Sequence, residues 1–340
     1  MIGIFCHNKC FKGDQSYQML SNQSFINHNK FGLINFMLLP FSAIFFILSS
    51  IRLWLYKFRI LKINDSSLPV IVVGNITVGG TGKTPIVISI VNYLESQNKK
   101  VGVVSRGYGG KYSQDSLEVS VTSDPVQCGD EPLLIKQQTE VPVVVAKKRT
   151  KAIDFLIKKY ALDVIVSDDG LQHYSMGRDI EIAVIDGHSR LGNGLLLPAG
   201  PLREAKSRLK SVDFIINNGS NLEGEISSEI EPHEYINLLT KEVKGLDHFK
   251  DKKCYAVAGI GKPDNFFSIL KNNGVKLITK PFPDHYVFTE KDLIFNENHP
   301  IIMTSKDCVK CTQFATNQMW YLSVSAKINS NFYQQLESKF

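Results

Sequence analysis

Cysteine is scarce and scattered. Cys6, Cys10, Cys128, Cys254, Cys308 and Cys311 are the only six in 340 residues, far below the density of a disulfide-stapled secreted fold, so the chain reads as one for a reducing compartment. The one C-x-x-C, Cys308-Val-Lys-Cys311, has no second pair to complete a zinc site and is taken as ordinary structure. Glycine (24) and proline (13) are too few for a collagen-like or low-complexity chain. Charged residues reach only 21% against 43% hydrophobic, which excludes a disordered chain and provides for a sizeable core. A strong charge imbalance is also missing. The net charge of +6 suits a phosphate or an anionic membrane surface and does not demand nucleic acid. The length predicts about two domains.

What is present begins with an uncharged run of 21 residues, Phe31 to Ile51, long enough to cross a bilayer. Asn35, Ser42, Ser49 and Ser50 dilute it, and Pro40 interrupts it. Arg52, Lys57, Arg59 and Lys62 then interleave with Leu53, Trp54, Leu55, Tyr56 and Phe58, the composition of a helix lying in a membrane interface. A secretory signal would place its apolar region nearer the start and follow it with a small-residue cleavage site. The flanking cations favour the cytoplasmic face. Residues 1–24 are expected to be disordered, or else translation is expected to begin at Met19.

Leu68–Val73 (LPVIVV) has the pattern of a buried parallel strand. It runs into GNITVGGTGKT, Gly74–Thr84, and then Pro85 and the apolar helical stretch IVISIVNYL. Strand, glycine-rich loop and helix together form a phosphate cradle: backbone N–H groups and the helix N-terminus face the anion. Thr77, Val78, Gly79, Gly80, Thr81 and Gly82 supply the loop, Lys83 reaches the terminal phosphates and the Thr84 hydroxyl reaches Mg²⁺. The P-loop pattern has glycine at its first position, where this chain has Thr77. A second apolar strand, LDVIVSDD, ends in Asp168-Asp169, a Walker-B type arrangement in which one carboxylate serves Mg²⁺ and the other is free for another role.

Around this core, VGVVSRGY places Arg106 and Tyr108 after a third buried strand. Asp130-Glu131 opens a helical stretch, where the carboxylates either cap the helix or act as base and metal ligand. Gln172 and His173 follow the second Asp pair, and GNGLLLPAGPLRE (Gly192–Glu204) is an apolar Gly/Pro-rich loop ending near Arg203, a candidate acceptor-binding loop. Residues 219–235 are polar and acidic and are expected to form a connection. Beyond them YAVAGIG, FFSILKNNG, VKLITKPF and IIMTSKD alternate strand and helix, and PFPDHY puts His285 in a loop. The expected fold is α/β: a P-loop NTPase-like, mostly parallel sheet with helices on both faces. To this the sequence adds an N-terminal membrane-associated helix (25–62), a P-loop kinase core (63–218) and a smaller C-terminal α/β domain (219–340).

Together VGNITVGGTGKTP, VGVVSRGYGG, GDEPLLI, VSDDGLQHY, GNGLLLPAGPLRE, PFPDHY and MTSKD resemble the tetraacyldisaccharide 4′-kinase (LpxK) family of Gram-negative bacteria over residues 30–330. MTSKD carries Ser305 where that family usually has Glu. The resemblance implies an ATP- and Mg²⁺-dependent enzyme on the cytoplasmic face of the inner membrane. It would phosphorylate the 4′-hydroxyl of tetraacyldisaccharide 1-phosphate, a lipid A precursor, with the membrane surface as partner and no nucleic acid. It further implies Asp130 as acceptor of the hydroxyl proton with His285 paired to it, Lys83 and Asp169 in catalysis, and Thr84, Glu131 and Asp168 around Mg²⁺. Arg149 is a candidate for the developing phosphoryl charge; Arg106, Tyr108, Gln172, His173 and Arg203 are candidates for the acceptor. Because moving acyl chains out of a bilayer costs ~0.8 kcal/mol per CH₂, such an enzyme must go to its lipid. Two other readings compete: an ATP-dependent ligase of the deviant P-loop group, which leaves the apolar run unexplained, and a membrane-cycling ATPase switch, which would carry Lys where Val78 stands. A nucleotide-dependent metallochaperone would need a metal cluster that the lone Cys pair does not provide.

Overall fold

The computed structural model describes residues 31–340; the expectations for residues 1–24 and for the start of the N-terminal segment lie outside them. The first element is α1 (Leu33–Lys57). The chain then alternates β1 (Val70–Gly74), α2 (Lys83–Ser96), β2 (Val101–Ser105), β3 (Leu117–Val119), α3 (Pro125–Cys128), α4 (Asp130–Gln138), β4 (Val143–Val145), α5 (Arg149–Lys159), β5 (Val164–Asp168), β6 (Ile180–Asp186) and β7 (Phe214–Asn218). The remainder contributes β8 (Ile226–Asn237), β9 (Val243–Gly245), β10 (Lys253–Ala258), α6 (Pro263–Asn272), β11 (Lys276–Pro281), β12 (Ile301–Thr304), α7 (Ser305–Cys311), β13 (Met319–Ile328) and α8 (Ser330–Glu337).

Among the described residues these strands form one 13-stranded sheet ordered β11-β10-β12-β13-β8-β7-β6-β1-β5-β2-β4-β3, with β9 on β8. Two parallel blocks meet where β8 runs parallel to β7 and antiparallel to β13. The central strands β1, β5 and β6 are buried along their whole length, as the Val/Ile-rich runs of β1 and β5 require of a sheet covered on both faces. Neighbouring parallel strands end together: Val73 of β1 pairs in register with Asp168 of β5. That register delivers the second Asp pair to the sheet edge from which the glycine-rich loop springs, the usual ligand position in open α/β sheets.

The acidic stretch expected to be a connection is instead mostly strand. Ile226–Asn237 is β8, the longest strand, lying between β7 and β13. Its polar residues are tolerated because much of it is only half-buried, while Ser228, Tyr235 and Asn237 point inward. Pro232, which cannot donate to a ladder, sits where the register with β13 shifts between Ser323 and Val324, a position where a bulge accommodates proline.

Helix α1 is inverted relative to a core helix. Leu33, Phe36, Met37, Phe41, Ile44, Ile47, Leu48 and Ile51 are each more than half exposed, while Asn35 and Ser42 are buried. Seven residues apart, these two lie on one face two turns from each other. Asn35 Nδ2 donates to the Ala199 carbonyl (2.7 Å), Ser42 Oγ donates to the Leu196 carbonyl (2.9 Å) and accepts from Ala199 N–H (2.9 Å). The residues that dilute the apolar run therefore dock the helix on the Gly192–Glu204 loop. By length and composition α1 is the one described helix able to cross a membrane.

Candidate active site

Two glycines that need to be glycine shape the loop after β1, one within it and one packed against it. Gly82 caps α2 at φ 77°, in the left-handed region, with Asn218 Nδ2 so close that a Cβ would lie 2.1 Å from it. Gly261, from the segment after β10, approaches Gly80 so closely that a Cβ on Gly261 would stand 2.7 Å from Gly80 N. Asn218 Nδ2 donates to the Thr81 carbonyl (3.1 Å). On its other side the loop is braced by the Gly192–Glu204 segment: Val78 N–H donates to the Pro201 carbonyl (2.8 Å), Arg203 N–H donates to the Ile76 carbonyl (2.7 Å), and Thr77 bridges to Leu202. Thr77, at the position where the motif has glycine, is thus part of a short antiparallel contact.

Lys83 begins α2, and its ammonium stands 3.5 Å from Asp169 Oδ1. Arg203 Nη1 donates to both Asp169 oxygens (3.1 and 3.3 Å) and to Gln172 Oε1 (3.4 Å). Burial opposes the Asp169 charge, but Lys83 and Arg203 overcome it and hold the group down to about 2. Its neighbour behaves oppositely. Asp168 is fully buried, and burial together with the Glu131 and Asp169 carboxylates pushes its pKa well up against Lys83 and Arg149. Asp168 Oδ2 accepts from Ser105 Oγ (3.1 Å), whereas Oδ1 has no hydrogen-bond partner. An orphaned, buried carboxylate oxygen beside Glu131 and the start of α2 is a fitting place for a hard cation. Among the described residues no group of three His, Cys, Asp or Glu is placed to hold an ion by itself.

Arg149 is almost fully buried, and its Nη2 donates to the carbonyls of Asp168 (2.9 Å) and Asp169 (2.7 Å). It fixes the backbone from which both carboxylates project, including Asp169 at φ 46°. Arg106 and Tyr108 are exposed beyond β2, and Gln172 donates to the Asn75 carbonyl (2.9 Å). Burial, then the cations Arg149, Arg178, Arg52 and Arg106, push His173 down to about 4, so it is a neutral imidazole at physiological pH.

Asp130 opens α4 and is buried, with His285 Nδ1 at 3.0 Å from Oδ2 and 3.2 Å from Oδ1. Burial opposes ionisation of Asp130, but the His285 hydrogen bond and the Lys306 charge lower its pKa overall. The hydrogen bond to Asp130 raises that of His285 against burial. His285 reaches across from the loop after β11 at φ 58°, and the Tyr108 ring lies 5.2 Å from it. Several neighbours were not assigned from the sequence. Lys306 contacts Glu131 Oε1 (3.0 Å), Asp284 Oδ1 (3.4 Å) and His285 Nε2 (3.3 Å). Lys310 lies 3.9 Å from Asp130, and Lys262 pairs with Asp186 (2.6 Å). Lys306 and Asp284 do fall within MTSKD and PFPDHY, so the signal was there; their contact with Glu131 depends on tertiary packing.

Two cavities meet at this cluster. One, of about 440 Å³, is lined by the loop Val78–Thr84 on one side and by Gly261, Lys262, Phe266, Ser305 and Lys306 on the other. The second, of about 1040 Å³, runs from α1 (Phe45, Ser49, Arg52, Trp54, Lys57) past Arg106, Arg149, Gln172, His173 and Arg208. Val78, Tyr108, Glu131, Asp169 and Arg203 line both.

Residues 34–340 match the family model described as tetraacyldisaccharide-1-P 4′-kinase. The chain belongs to the tetraacyldisaccharide-1-P 4′-kinase family. It is 52% identical over 314 residues to the tetraacyldisaccharide 4′-kinase of Ruthia magnifica subsp. Calyptogena magnifica (92% of this chain, 100% of the relative). It is 44% identical over 313 residues to that of Legionella pneumophila strain Corby (91% and 95%). A crystal structure described as the "apo" form of LpxK from Aquifex aeolicus in complex with ATP superposes with a TM-score of 0.76 at 28% identity, covering 90% of this chain and 98% of that one. The chain is therefore a kinase of lipid A biosynthesis, and the mostly parallel α/β fold expected from the sequence is that of the LpxK structure.

Proposed function

We propose that this member of the 4′-kinase family moves the γ-phosphoryl group of ATP to the 4′-hydroxyl of tetraacyldisaccharide 1-phosphate at the cytoplasmic face of the inner membrane. The observation that carries this reading is the meeting of the two cavities. A phosphate-binding loop lines one, a lipid-facing helix lines the other, and Asp169, Arg203, Glu131, Val78 and Tyr108 stand in both walls. An ATPase switch has no need of a second cavity on that scale.

Phosphoryl transfer depends on positioning and charge neutralisation. The loop amides and Lys83 hold the β- and γ-phosphates, and Asp169 and Arg203 orient Lys83. Asp168, Glu131 and Thr84 would hold Mg²⁺, which would supply positive charge against the charge that develops on the transferring phosphoryl group. As the acceptor oxygen bonds to the γ-phosphorus, the bond to the β–γ bridging oxygen breaks and ADP leaves. The hydroxyl proton passes to the Asp130 carboxylate, kept ionised by His285 and the Lys306 charge. Arg106, Tyr108, Gln172 and neutral His173 face the acceptor. Residues 63–218 supply the phosphate loop and 219–340 supply His285 and the far wall of the nucleotide cavity. The cations Arg52, Lys57, Arg59 and Lys62 at the end of α1 support the cytoplasmic assignment.

The test is a detergent assay of purified protein with Mg-ATP and tetraacyldisaccharide 1-phosphate, following the bisphosphorylated lipid. Asp130→Ala is expected to remove most turnover while the far-UV spectrum is unchanged. Full turnover in that variant would take Asp130 out of the reaction.

A further inference from the structure

We propose that Lys306 is a positioning residue that holds His285 in the tautomer with the proton on Nδ1, so that His285 donates to Asp130. The proposal rests on the reading of Asp130 as proton acceptor. Its first support is a donor count. A lysine ammonium carries three donors and no acceptor. At 3.3 Å from Nε2 it requires a lone pair there. The proton then sits on Nδ1, which faces Asp130 Oδ2 at 3.0 Å. The other tautomer would turn Nε2–H against the ammonium and an Nδ1 lone pair against the carboxylate, making both contacts repulsive.

Lys306 is held well enough to enforce this. Only 16% of its side chain is exposed, and Glu131 Oε1 at 3.0 Å and Asp284 Oδ1 at 3.4 Å take its other protons. It stands in the first turn of α7, whose start is locked: Thr304 Oγ1 accepts from Asp307 N–H (3.1 Å), and Asp307 Oδ2 accepts from Gly259 N–H (2.9 Å). The groups around His285 come from four elements: Asp130 and Glu131 on α4, Asp284 in its own loop, Tyr108 after β2, and Lys306 and Lys310 on α7. Of these only Lys306 stands within hydrogen-bond distance of Nε2, at 3.3 Å; the Asp284 Oδ1 acceptor lies farther off, at 3.9 Å, and is itself engaged by Lys306. The consequence is chemical. An Nδ1–H donor keeps the Asp130 carboxylate aimed and anionic, whereas the wrong tautomer gives it nothing to hold.

The experiment is a long-range ¹H–¹⁵N correlation spectrum of the full chain labelled at histidine, at a pH where His285 is neutral, with His285→Gln used to assign the resonance. In the wild type an unprotonated Nε2 and a protonated Nδ1 are expected. A protonated Nε2 with bare Nδ1 overturns the proposal without any variant. Lys306→Met, which cannot donate, is expected to populate the Nε2–H form and to lower kcat by roughly 10–100-fold, the usual loss when an orienting partner is removed, with KM for Mg-ATP little changed. Lys306→Gln, whose amide can donate to Nε2, is expected to restore the tautomer and part of kcat. An unchanged tautomer in Lys306→Met, or a loss confined to KM for Mg-ATP, would make Lys306 a phosphate contact instead. Wild-type turnover in His285→Ala would sink the Asp130–His285 reading while leaving the tautomer result standing.

Discussion

Helices α1 and α2 are both rich in apolar residues, and they face opposite ways. α2 buries Ile86, Val87, Ile88, Ile90, Val91 and Leu94 against the sheet. α1 buries Asn35 and Ser42 and leaves its large side chains outside. Burying a large apolar side chain is worth about 1.5–3 kcal/mol; α2 gains it inside the protein, whereas the exposed face of α1 has no protein partner among the described residues. α2 begins at the glycine-rich loop that lines the smaller cavity, and α1 walls the larger one. They are joined by the Gly192–Glu204 loop, which accepts the α1 hydrogen bonds at Leu196 and Ala199 and braces the phosphate loop through Pro201 and Arg203. A segment expected only to bind the acceptor thus also ties the apolar helix α1 to the glycine-rich loop.

The largest effect belongs to the α2 side. Lys83→Ala removes the cation proposed to hold the phosphates and leaves Asp169 with one fewer partner. Turnover in the lipid kinase assay is expected to fall by roughly 10²–10³, the scale for losing a preorganised charge at a transferring group. A tenfold smaller loss would say that Arg203 and the loop amides carry the phosphate. On the α1 side the corresponding test is removal of residues 1–62. Recovery of the protein in the membrane pellet is expected to drop to a minor fraction while ATP binding persists; unchanged sedimentation would mean that another surface does the anchoring.

A finer cut separates docking from anchoring. Asn35→Leu with Ser42→Ala takes away the polar face of α1 and leaves its apolar face intact. Each lost hydrogen bond contributes about 1 kcal/mol, so the melting temperature should fall by a few degrees. Membrane recovery should hold, because the exposed apolar side chains are untouched. If recovery falls as much as in the truncation, the orientation of α1 is wrong.

How much of this was legible in the sequence follows from what is local. The phosphate loop, β1, β5 and the register that brings Asp168 to it could be read because a buried parallel strand is a continuous Val/Ile run and the loop has its own signature. The seven-residue spacing of Asn35 and Ser42 was visible, but as blemishes in an apolar run; only the partner carbonyls at Leu196 and Ala199, more than 150 residues away, give them a role. β8 was misread because its polar alternation and Pro232 look like linker, and a strand paired on both sides is defined by neighbours distant in sequence. Lys306 lies within MTSKD, but nothing local to it says that it will meet His285.

The smallest effect concerns the pair that joins the two parts of the chain, Asp130 and His285. The His285 pKa is raised by its hydrogen bond to Asp130, while an unfolded histidine titrates near about 6.5. A group whose folded value is raised contributes stability that is fully present below the unfolded value and is lost as pH rises through the folded one. Asp130 has the opposite sign: its pKa is lowered, and its share is lost only as pH falls through and below the ordinary carboxylate range. The melting-temperature gap between wild type and His285→Asn should therefore be widest near pH 6 and narrow toward pH 9, by about 1–2 °C for a chain of this size. With His285 side-chain exposure at 27%, solvent screening keeps the effect small. A gap that widens with rising pH would mean that the neutral imidazole, not the charged pair, holds the two elements together.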